Sequence, residues 1–135
     1  MDAQVVREAL AAAVAGVEVI GRCDAWVPSN INAPQGVVMD GPVDYDLVLG
    51  GGADETVFVV QVYVSRTSDR KAQQLLNDVK QPTGDRSVKA ALEADAVATA
   101  AGVDYVVVER ASEPKAVNIG GADYLFVDFD VEVVG

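Results

Sequence analysis

One run of residues dominates the pattern of this sequence: Thr56-Val57-Phe58-Val59-Val60-Gln61-Val62-Tyr63-Val64-Ser65. Eight of its ten residues are β-branched or aromatic, the types that suit a pleated, half-buried surface. Apolar side chains fall on both faces, as in a strand covered by the core on one side and by helices or a partner subunit on the other. A buried helix is the rival interpretation, but valine and phenylalanine are weak helix formers, and Gly50-Gly51-Gly52 and Ser65-Arg66-Thr67-Ser68 bound the run. The run therefore predicts the central strand of a single sheet.

The residues before this run predict a second strand that pairs with it. From Val43 to Leu49, apolar residues alternate with Asp44 and Asp46, and the glycine-rich stretch 50–54 then leads into the central strand. Residues 43–65 are therefore expected to form a long β-hairpin. The triple glycine does not match a phosphate-binding loop, because no Gly-Lys-Ser/Thr follows it and the next element is a strand.

Periodicity predicts the remaining elements. Apolar residues recur at helical spacing in 2–16, 68–79 and 85–102, with Asp2, Ser68 or Asp69, and Ser87 or Asp85 as candidate caps. In the first helix, Arg7 and Glu8 are expected to face solvent. Strand patterns occupy 17–22, 36–40, 103–109 and 124–134, the last two as an antiparallel pair, within a chain that is otherwise irregular from 26 to 42. The expected fold is a single α+β domain, 1–135, with one mostly antiparallel sheet, a long β-hairpin and helices packed on one face.

Composition excludes several classes of function. The chain has 135 residues and no histidine, which removes Ser-His-Asp and Cys-His catalytic pairs and every zinc site that contains histidine. Its single cysteine, Cys23, permits no internal disulfide and is expected to be an ordinary half-buried residue. We expect no signal peptide and no membrane-spanning segment, because the start lacks a basic region followed by an apolar one and no apolar run is long enough. An enzyme of this composition would depend on carboxylate, lysine or tyrosine chemistry or on a hard cation, and we expect neither enzymatic activity nor a cofactor.

The net charge of −11 bears on possible partners. A nucleic-acid clamp needs a basic surface that displaces counterions, so the acidity argues against one. The same charge is compatible with a surface past which DNA slides without binding. Charge that serves only solubility is the simpler interpretation of composition by itself.

The strongest candidate site is a row of carboxylates. Asp128, Asp130 and Glu132 stand on one face of the last strand, and Asp44 and Asp46 stand on another strand. They could bind Ca²⁺ or Mg²⁺, or form an acid and base pair. Cation sites usually draw their ligands from loops, however, and no Asp-x-Asp-x-Asp-Gly loop is present. A solvated sheet face or a subunit surface is therefore the favoured interpretation, and no metal is expected.

Two further features suit either an isolated chain or an assembly. Basic residues cluster around the helix at 68–79, namely Arg66, Arg70, Lys71 and Lys80. They are ordinary surface residues in a monomer, whereas in a ring they would meet the acidic edge of the next subunit. Trp26, on the irregular connection, is either a core anchor or an interface residue, since aromatic residues are enriched at interface centres.

Several segments together resemble a known family. They are Pro34-Gln35-Gly36-Val37-Val38-Met39 with the hairpin 43–65, the helix 69–79, Thr83-Gly84-Asp85-Arg86-Ser87-Val88-Lys89-Ala90-Ala91-Leu92, Gly120-Gly121-Ala122-Asp123-Tyr124-Leu125 and Val127-Asp128-Phe129-Asp130-Val131-Glu132-Val133. This combination resembles the tail terminator proteins of long-tailed bacteriophages, particularly those that infect actinobacteria. The composition, rich in alanine, valine, aspartate and glycine and poor in lysine, suits a host with GC-rich DNA.

The resemblance implies a structural virion protein. Such a protein forms a homo-oligomeric ring, expected to be a hexamer, at the head-proximal end of the tail tube, where it ends tube growth and meets the tail tube protein and the head-tail connector or stopper proteins. DNA would pass through a lumen lined by acidic side chains, and the family carries no enzymatic residues. The candidate subunit or lumen contacts are Trp26, Asp44, Asp46, Arg66, Arg70, Asp128, Asp130 and Glu132, and 124–134 or the arm 43–54 are candidate edges for pairing across subunits.

Other functions remain open at this point. A head-tail connector or stopper and a tail tube subunit belong to the same particle, although tube subunits are β-sandwiches and two adjacent helices favour the terminator. A carboxylate-based cation-binding module is an alternative of a different class.

Overall fold

A computed structural model describes residues 1–44, 55–66 and 68–135, and of residues 42–44 it describes the backbone. The elements are α1 (Ala3–Ala15), β1 (Cys23–Asp24), β2 (Gln35–Asp44), β3 (Glu55–Ser65), α2 (Asp69–Val79), α3 (Val88–Leu92), α4 (Asp95–Ala101), β4 (Tyr105–Ala111), β5 (Lys115–Ile119) and β6 (Ala122–Val134). Residues 45–49 of the predicted first strand of the hairpin, and its predicted tip, 50–54, lie outside the described residues. No helix in the described part of the chain is long and apolar enough to cross a membrane.

The strands form one mixed, mostly antiparallel sheet. Its order is β1-β2-β3-β6-β4, with β5 also paired to β6, and only the short β1–β2 contact is parallel. The run at 56–65 is therefore the central strand, as predicted. Phe58 lies opposite Val131 and Val60 lies opposite Phe129, so the two longest apolar patterns in the chain pair with each other. The α+β class expected from the sequence is confirmed.

The hydrophobic core lies between one face of this sheet and the helices. Alternate residues of β3 and β6 are buried on that face, including Phe58 and Phe129, which are each 1% exposed. Leu10 of α1, Leu76 of α2 and Leu92 of α3 complete the same apolar cluster. Removing large apolar side chains from water is the main stabilising contribution here, about 2 to 3 kcal/mol for each one fully buried.

The opposite surface of the sheet, named the open face below, is covered at one end only. There, the loop between β1 and β2 lies over β2 and β6: Asn32 donates its backbone N–H to Gln35 at 2.7 Å, and the Tyr124 hydroxyl donates to the Ile31 carbonyl at 3.2 Å. Gln35 is fully buried as a result. Along β3, the residues on the open face, including Val57 and Val59, are half-buried.

Two predicted elements need correction, the strand at 17–22 and the single helix at 85–102. The segment 17–22 is not a strand, because Val17 and Ile20 are buried one helical turn apart and their backbone continues α1 as tight turns. The predicted helix at 85–102 is broken at Glu93 and Ala94 into α3 and α4. An uninterrupted helix that buries Val88 and Leu92 would also place Ala96 and Thr99 on its inner face. The break changes this, since Val97 and Ala101 are buried and Ala96 and Thr99 are exposed.

The helix caps agree better with the sequence. The Asp2 carboxylate accepts from the backbone N–H of Gln4 at 3.0 Å, and the Ser87 hydroxyl accepts from the backbone N–H of Ala90 at 3.0 Å. Both side chains satisfy amides that the first helical turn leaves without a partner. Ser68 occupies the predicted N-cap position before α2, although its side chain makes no capping hydrogen bond.

The strands differ from the prediction in extent and at the sheet edge. The short strand expected at 36–40 is part of the longer β2, and the residues after β4 contain an additional strand, β5. The turn Gly120-Gly121, with φ of 60° and 85°, joins β5 to β6. The segment 124–134 is not an edge, because β6 has partners on both sides.

The outer edge of β4 is protected by Lys89 of α3 and by Glu93, the residue that follows this helix. Glu93 accepts from the backbone N–H of Val108 at 2.9 Å, and Lys89 pairs with Glu93 at 2.5 Å while donating to the Val108 carbonyl at 3.4 Å. Burial acts to raise the pKa of Glu93, but Lys89 and the Val108 amide outweigh it and lower the pKa below its usual value. Covering the polar groups of an edge strand in this way discourages pairing with another chain.

Candidate functional site

The predicted row of carboxylates lies on the open face, but its members differ in their surroundings. Asp128 accepts from the Gln61 side-chain amide at 3.0 Å and from the Lys115 ammonium at 2.9 Å. Asp130 pairs with the Arg110 guanidinium at 3.2 Å. Each of these two carboxylates therefore has a cation from its own chain, which makes them poor candidates for binding anything else.

Glu132, the third member of the row, belongs to a different group. Carboxylate oxygens of Glu55, Glu109 and Glu132 lie within 4.8 Å of one another, and we name these three residues the carboxylate cluster. Glu55 comes from the start of β3, and Glu109 comes from β4 at the point where its register with β6 shifts. None of the three forms an ion pair with a described lysine or arginine.

Crowding of like charges changes the protonation of the cluster. Hydrogen bonding to Glu109, burial and the charge of Glu55 raise the pKa of Glu132 from its usual 4.5 to about 7. A carboxyl group between two others holds its proton because three negative charges at this distance repel one another. The cluster can therefore share a proton, or it can accept an external cation or basic side chain that offsets the charge.

We expect Glu132→Gln to stabilise the protein at pH 8 and to have no effect at pH 4. The folded-state pKa lies above the unfolded value, so this group favours folding below about pH 4.5 and loses that contribution as the pH rises through 7. Above pH 7 the wild-type cluster carries its full repulsion, which the amide removes. The gain in unfolding free energy at pH 8 is expected to be up to about 1 kcal/mol, measured by urea denaturation.

Asp130→Asn is the matched control for this experiment. It removes a carboxylate from the same strand face two residues away, but one that already has Arg110 as its partner. We expect it to be neutral or slightly destabilising at pH 8. An equal gain from both variants would mean that the total negative charge, rather than the crowding of the cluster, governs stability.

Apolar side chains surround the carboxylate cluster. Val57 and Val107 lie opposite Glu132 on the two neighbouring strands, and Tyr105 precedes Val107 by two residues on the same face. Tyr105 is 44% exposed and Val107 is 36% exposed. This end of the open face is therefore a mixed surface of apolar and acidic side chains. Protein interfaces combine the same two kinds of residue, with apolar groups at the centre and polar groups at the rim.

The other end of the open face is filled by aromatic residues. Tyr63 stacks on Phe126 with ring centroids 5.1 Å apart and meets Tyr124 edge to face at 6.5 Å. Burial and the charge of Asp128 raise the pKa of Tyr63 above its usual value. These contacts and the covering loop pack the aromatic rings against one another, and Tyr63, Tyr124 and Phe126 are half-buried.

Trp26 lies on the surface and not in the core. It is 54% exposed, and its ring covers the guanidinium of Arg7 at 4.1 Å. Arg7, predicted to face solvent, is 4% exposed: it pairs with Asp40, donates to the Ala25 carbonyl at 2.7 Å and donates to the Val38 carbonyl at 3.0 Å. The interpretation of Trp26 as a core anchor is wrong, and its role as an interface residue stays a prediction.

The basic residues around α2 also divide into two groups. Arg66 pairs with Asp69 at 2.7 Å, whereas Arg70 and Lys71 are exposed and Lys80 is half-buried. The last three form no ion pair with any side chain that the structure describes. All three lie on α2 or at the residue that ends it.

Asp44 and Asp46, the two candidates from the predicted hairpin, are adjacent to or within the stretch that the structure does not describe. The backbone of Asp44 pairs with Glu55 at the end of β2, and Asp46 lies outside the described residues. Cys23 is half-buried, and burial together with Asp24 raises the pKa of its thiol to about 12, which makes it unreactive at neutral pH.

Two members of the carboxylate cluster were missed in the sequence. Glu55 precedes the central run, and Glu109 ends an apolar strand pattern, so neither belongs to an alternating acidic row. Only the pairing of β3 and β4 with β6 brings them to Glu132.

Comparison with known proteins adds no assignment. A scan against protein-family models finds no match, and a search of curated proteins finds none either.

Proposed function

We propose that this chain is a structural virion protein of the tail terminator type, without enzymatic activity. One observation on the molecule supports self-association most directly: the acidic end of the open face keeps Val57, Val59, Tyr105 and Val107 partly accessible beside three carboxylates. A surface of this mixture is stabilised by a partner that covers the apolar groups and supplies cations. The resemblance in sequence names the kind of assembly.

In this proposal, copies of the chain form a ring of about six at the head-proximal end of the tail tube. The ring ends tube growth and contacts the tail tube protein on one side and the connector or stopper proteins on the other. DNA passes through its lumen without sequence-specific binding. The net charge of −11 supports this part of the proposal, because an acidic lumen repels the phosphate backbone.

The test is the mass of the purified protein by light scattering, first by itself and then mixed with tail tube protein. We expect a closed oligomer of about six copies in at least one of the two conditions. Electron microscopy of tails assembled with and without the protein supplies the functional readout, with tubes of defined length expected only in its presence. A strict monomer in both conditions, at concentrations where tubes assemble, contradicts the proposal.

Two other components of the same particle are the nearest alternatives. A tail tube subunit would be a β-sandwich, and the presence of α2, α3 and α4 beside a single sheet favours the terminator over it. A connector or stopper is distinguished by where the protein binds: it would associate with the head in the absence of tails, whereas a terminator would associate with tail tubes.

A cation-binding module is the candidate from a different class. The observation in its favour is the separation of at most 4.8 Å among the carboxylate oxygens of Glu55, Glu109 and Glu132. Asp128 and Asp130 are poorer ligands than the sequence indicated, because Lys115 and Arg110 occupy them. A rise in melting temperature with Ca²⁺ or Mg²⁺ that disappears in Glu132→Gln, but not in Asp130→Asn, would favour this function.

A further inference from the structure

We propose that the acidic end of the open face in one copy binds the outer surface of α2 in a second copy, with Arg70 and Lys71 facing the carboxylate cluster. This inference rests on the self-association proposed above and names the two surfaces that form it. It commits to one occupant of the open face, another molecule of the same chain, because that chain carries the complementary charges.

Most lysine and arginine residues that the structure describes already have an acidic partner within the chain. Of ten lysine and arginine residues, seven form ion pairs with described carboxylates: Arg7, Arg22, Arg66, Arg86, Lys89, Arg110 and Lys115. The three that form none with the described residues are Arg70, Lys71 and Lys80, all from one helix and its last turn. In the part of the chain that the structure describes, the cations without an ion pair are therefore concentrated on α2 and at Lys80, the residue that follows it.

Both acidic residues of α2 form ion pairs with arginines outside the helix. Asp69 is held by Arg66 at 2.7 Å, and Asp78 is held by Arg86 at 3.0 Å. The outer surface of the helix consequently presents positive charge that its own carboxylates do not offset. Arg70 lies almost opposite the buried stripe formed by Ala72, Leu76 and Val79, so it projects away from the core.

The carboxylate cluster on the open face carries negative charge that could pair with these cations. Asp128 and Asp130 are paired within the chain, so among the described residues of the open face the carboxylates without an ion pair are concentrated at Glu55, Glu109 and Glu132. Like charges this close repel one another, and a guanidinium or ammonium placed among them removes that repulsion. Tyr105 and Val107 beside the cluster supply the apolar contact that charge pairs by themselves lack.

The location of the two surfaces determines the kind of assembly. α2 packs against β3 and β6 on the helix-covered side of the sheet, whereas Glu55 of β3 and Glu132 of β6 lie on the opposite side. A two-fold symmetric interface uses the same patch on both copies, so surfaces on opposite sides of the sheet cannot form one. The proposed contact is heterologous, so each copy uses one surface toward each neighbour, and repetition produces a ring or an open chain.

Charge reversal on each surface tests the proposal. The α2 variant is Arg70→Glu with Lys71→Glu, and the cluster variant is Glu109→Lys with Glu132→Lys. Each is expected to weaken self-association at least about tenfold, measured by light scattering over a concentration series. Lys80→Glu is the matched control, because it reverses a charge about 15 Å further along the same helix and is expected to change association by less than about threefold.

Mixing the two variants provides the decisive result. Each variant retains one normal surface and carries one reversed surface, so an equimolar mixture restores complementary charges at every contact. We expect the mixture to associate where neither variant does by itself. If the cluster variant fails to fold by circular dichroism, Glu109→Gln with Glu132→Gln replaces it, and α2-dependent association is expected to weaken without restoration in the mixture.

The outcomes separate this inference from the proposed function. If both charge-reversed variants associate as strongly as the wild type, the proposed docking surfaces are wrong and the ring proposal still stands. Loss of association in each charge-reversed variant without recovery in their mixture also overturns the pairing of these surfaces. A wild-type protein that stays monomeric, both by itself and with tail tube protein, contradicts the ring proposal and this inference together.

Discussion

Replacing Arg7 by methionine is expected to lower the free energy of unfolding by about 3 kcal/mol. Methionine preserves much of the apolar stem but removes every donor of the guanidinium. The carbonyl of Val38 is then buried without its donor, and the carbonyl of Ala25 and the carboxylate of Asp40 also lose theirs. Because Arg7 is buried and joins α1 both to β2 and to Ala25 in the loop after β1, the effect should exceed that of an ordinary surface ion pair.

Urea denaturation of Arg7→Met measures the loss, with Arg22→Met as the control. Arg22 is 50% exposed and lies 3.8 Å from Asp24, so its removal is expected to cost less than about 0.5 kcal/mol. Fluorescence of Trp26 should also change in Arg7→Met, because the cation beneath its ring is lost. A loss no larger than that of the control would show that the loop is held by its other contacts.

Gly41→Ala is expected to destabilise the protein by about 3 kcal/mol. A Cβ atom at this position would lie 2.2 Å from the carbonyl oxygen of Val57, which is backbone of the central strand. A flexible side chain could move aside, but the Val57 carbonyl is held within the sheet. Gly41 lies where the register of β2 against β3 shifts between Asp40 and Val43, and the missing side chain permits this close approach.

Gly16→Ala is the control for this substitution. Its Cβ would meet no atom closer than 3.4 Å, and its φ of −77° is accessible to any residue. We expect that variant to be neutral or slightly stabilising, since alanine reduces the freedom of the unfolded chain. A similar melting temperature for Gly41→Ala and the wild type would indicate that β2 can shift to a different register.

The two ends of the open face are expected to respond differently to substitution. Changes at the aromatic end, where Tyr63, Tyr124 and Phe126 pack beneath the covering loop, should act on stability. Changes at the carboxylate cluster should act on association and on its dependence on pH, because these side chains are more accessible and repel one another. This separation lets assembly be altered without unfolding the subunit.

Local patterns in the sequence were sufficient for the main elements. The run at 56–65 was placed correctly at the centre of the sheet, because β-branched residues with apolar groups on both faces fit no other position as well. Asp2 and Ser87 were identified as caps from the chemistry of their short polar side chains. The alternation of 124–134 correctly placed Asp128, Asp130 and Glu132 on one face, since side chains of a strand alternate with a period of two.

Features that depend on contacts distant in the sequence were decided by the tertiary structure. The pattern of α1 treated Arg7 as a solvent-facing residue, and only the approach of β2 and the Trp26 loop buries it. The helix at 85–102 is interrupted where Glu93 binds the edge of β4, a partner that helical periodicity does not reveal.

The candidate site shows the same division. Alternation determines which face of β6 a carboxylate occupies, but the strand register and the shift between Val108 and Arg110 determine what lies beside it. Three acidic residues of one row therefore have two different environments: Asp128 and Asp130 receive cations, and Glu132 receives two more carboxylates. The sequence by itself determined the acidic face, and the pairing of strands decided where its charge remains unpaired, because electrostatic interactions depend on distances between residues that the chain order does not set.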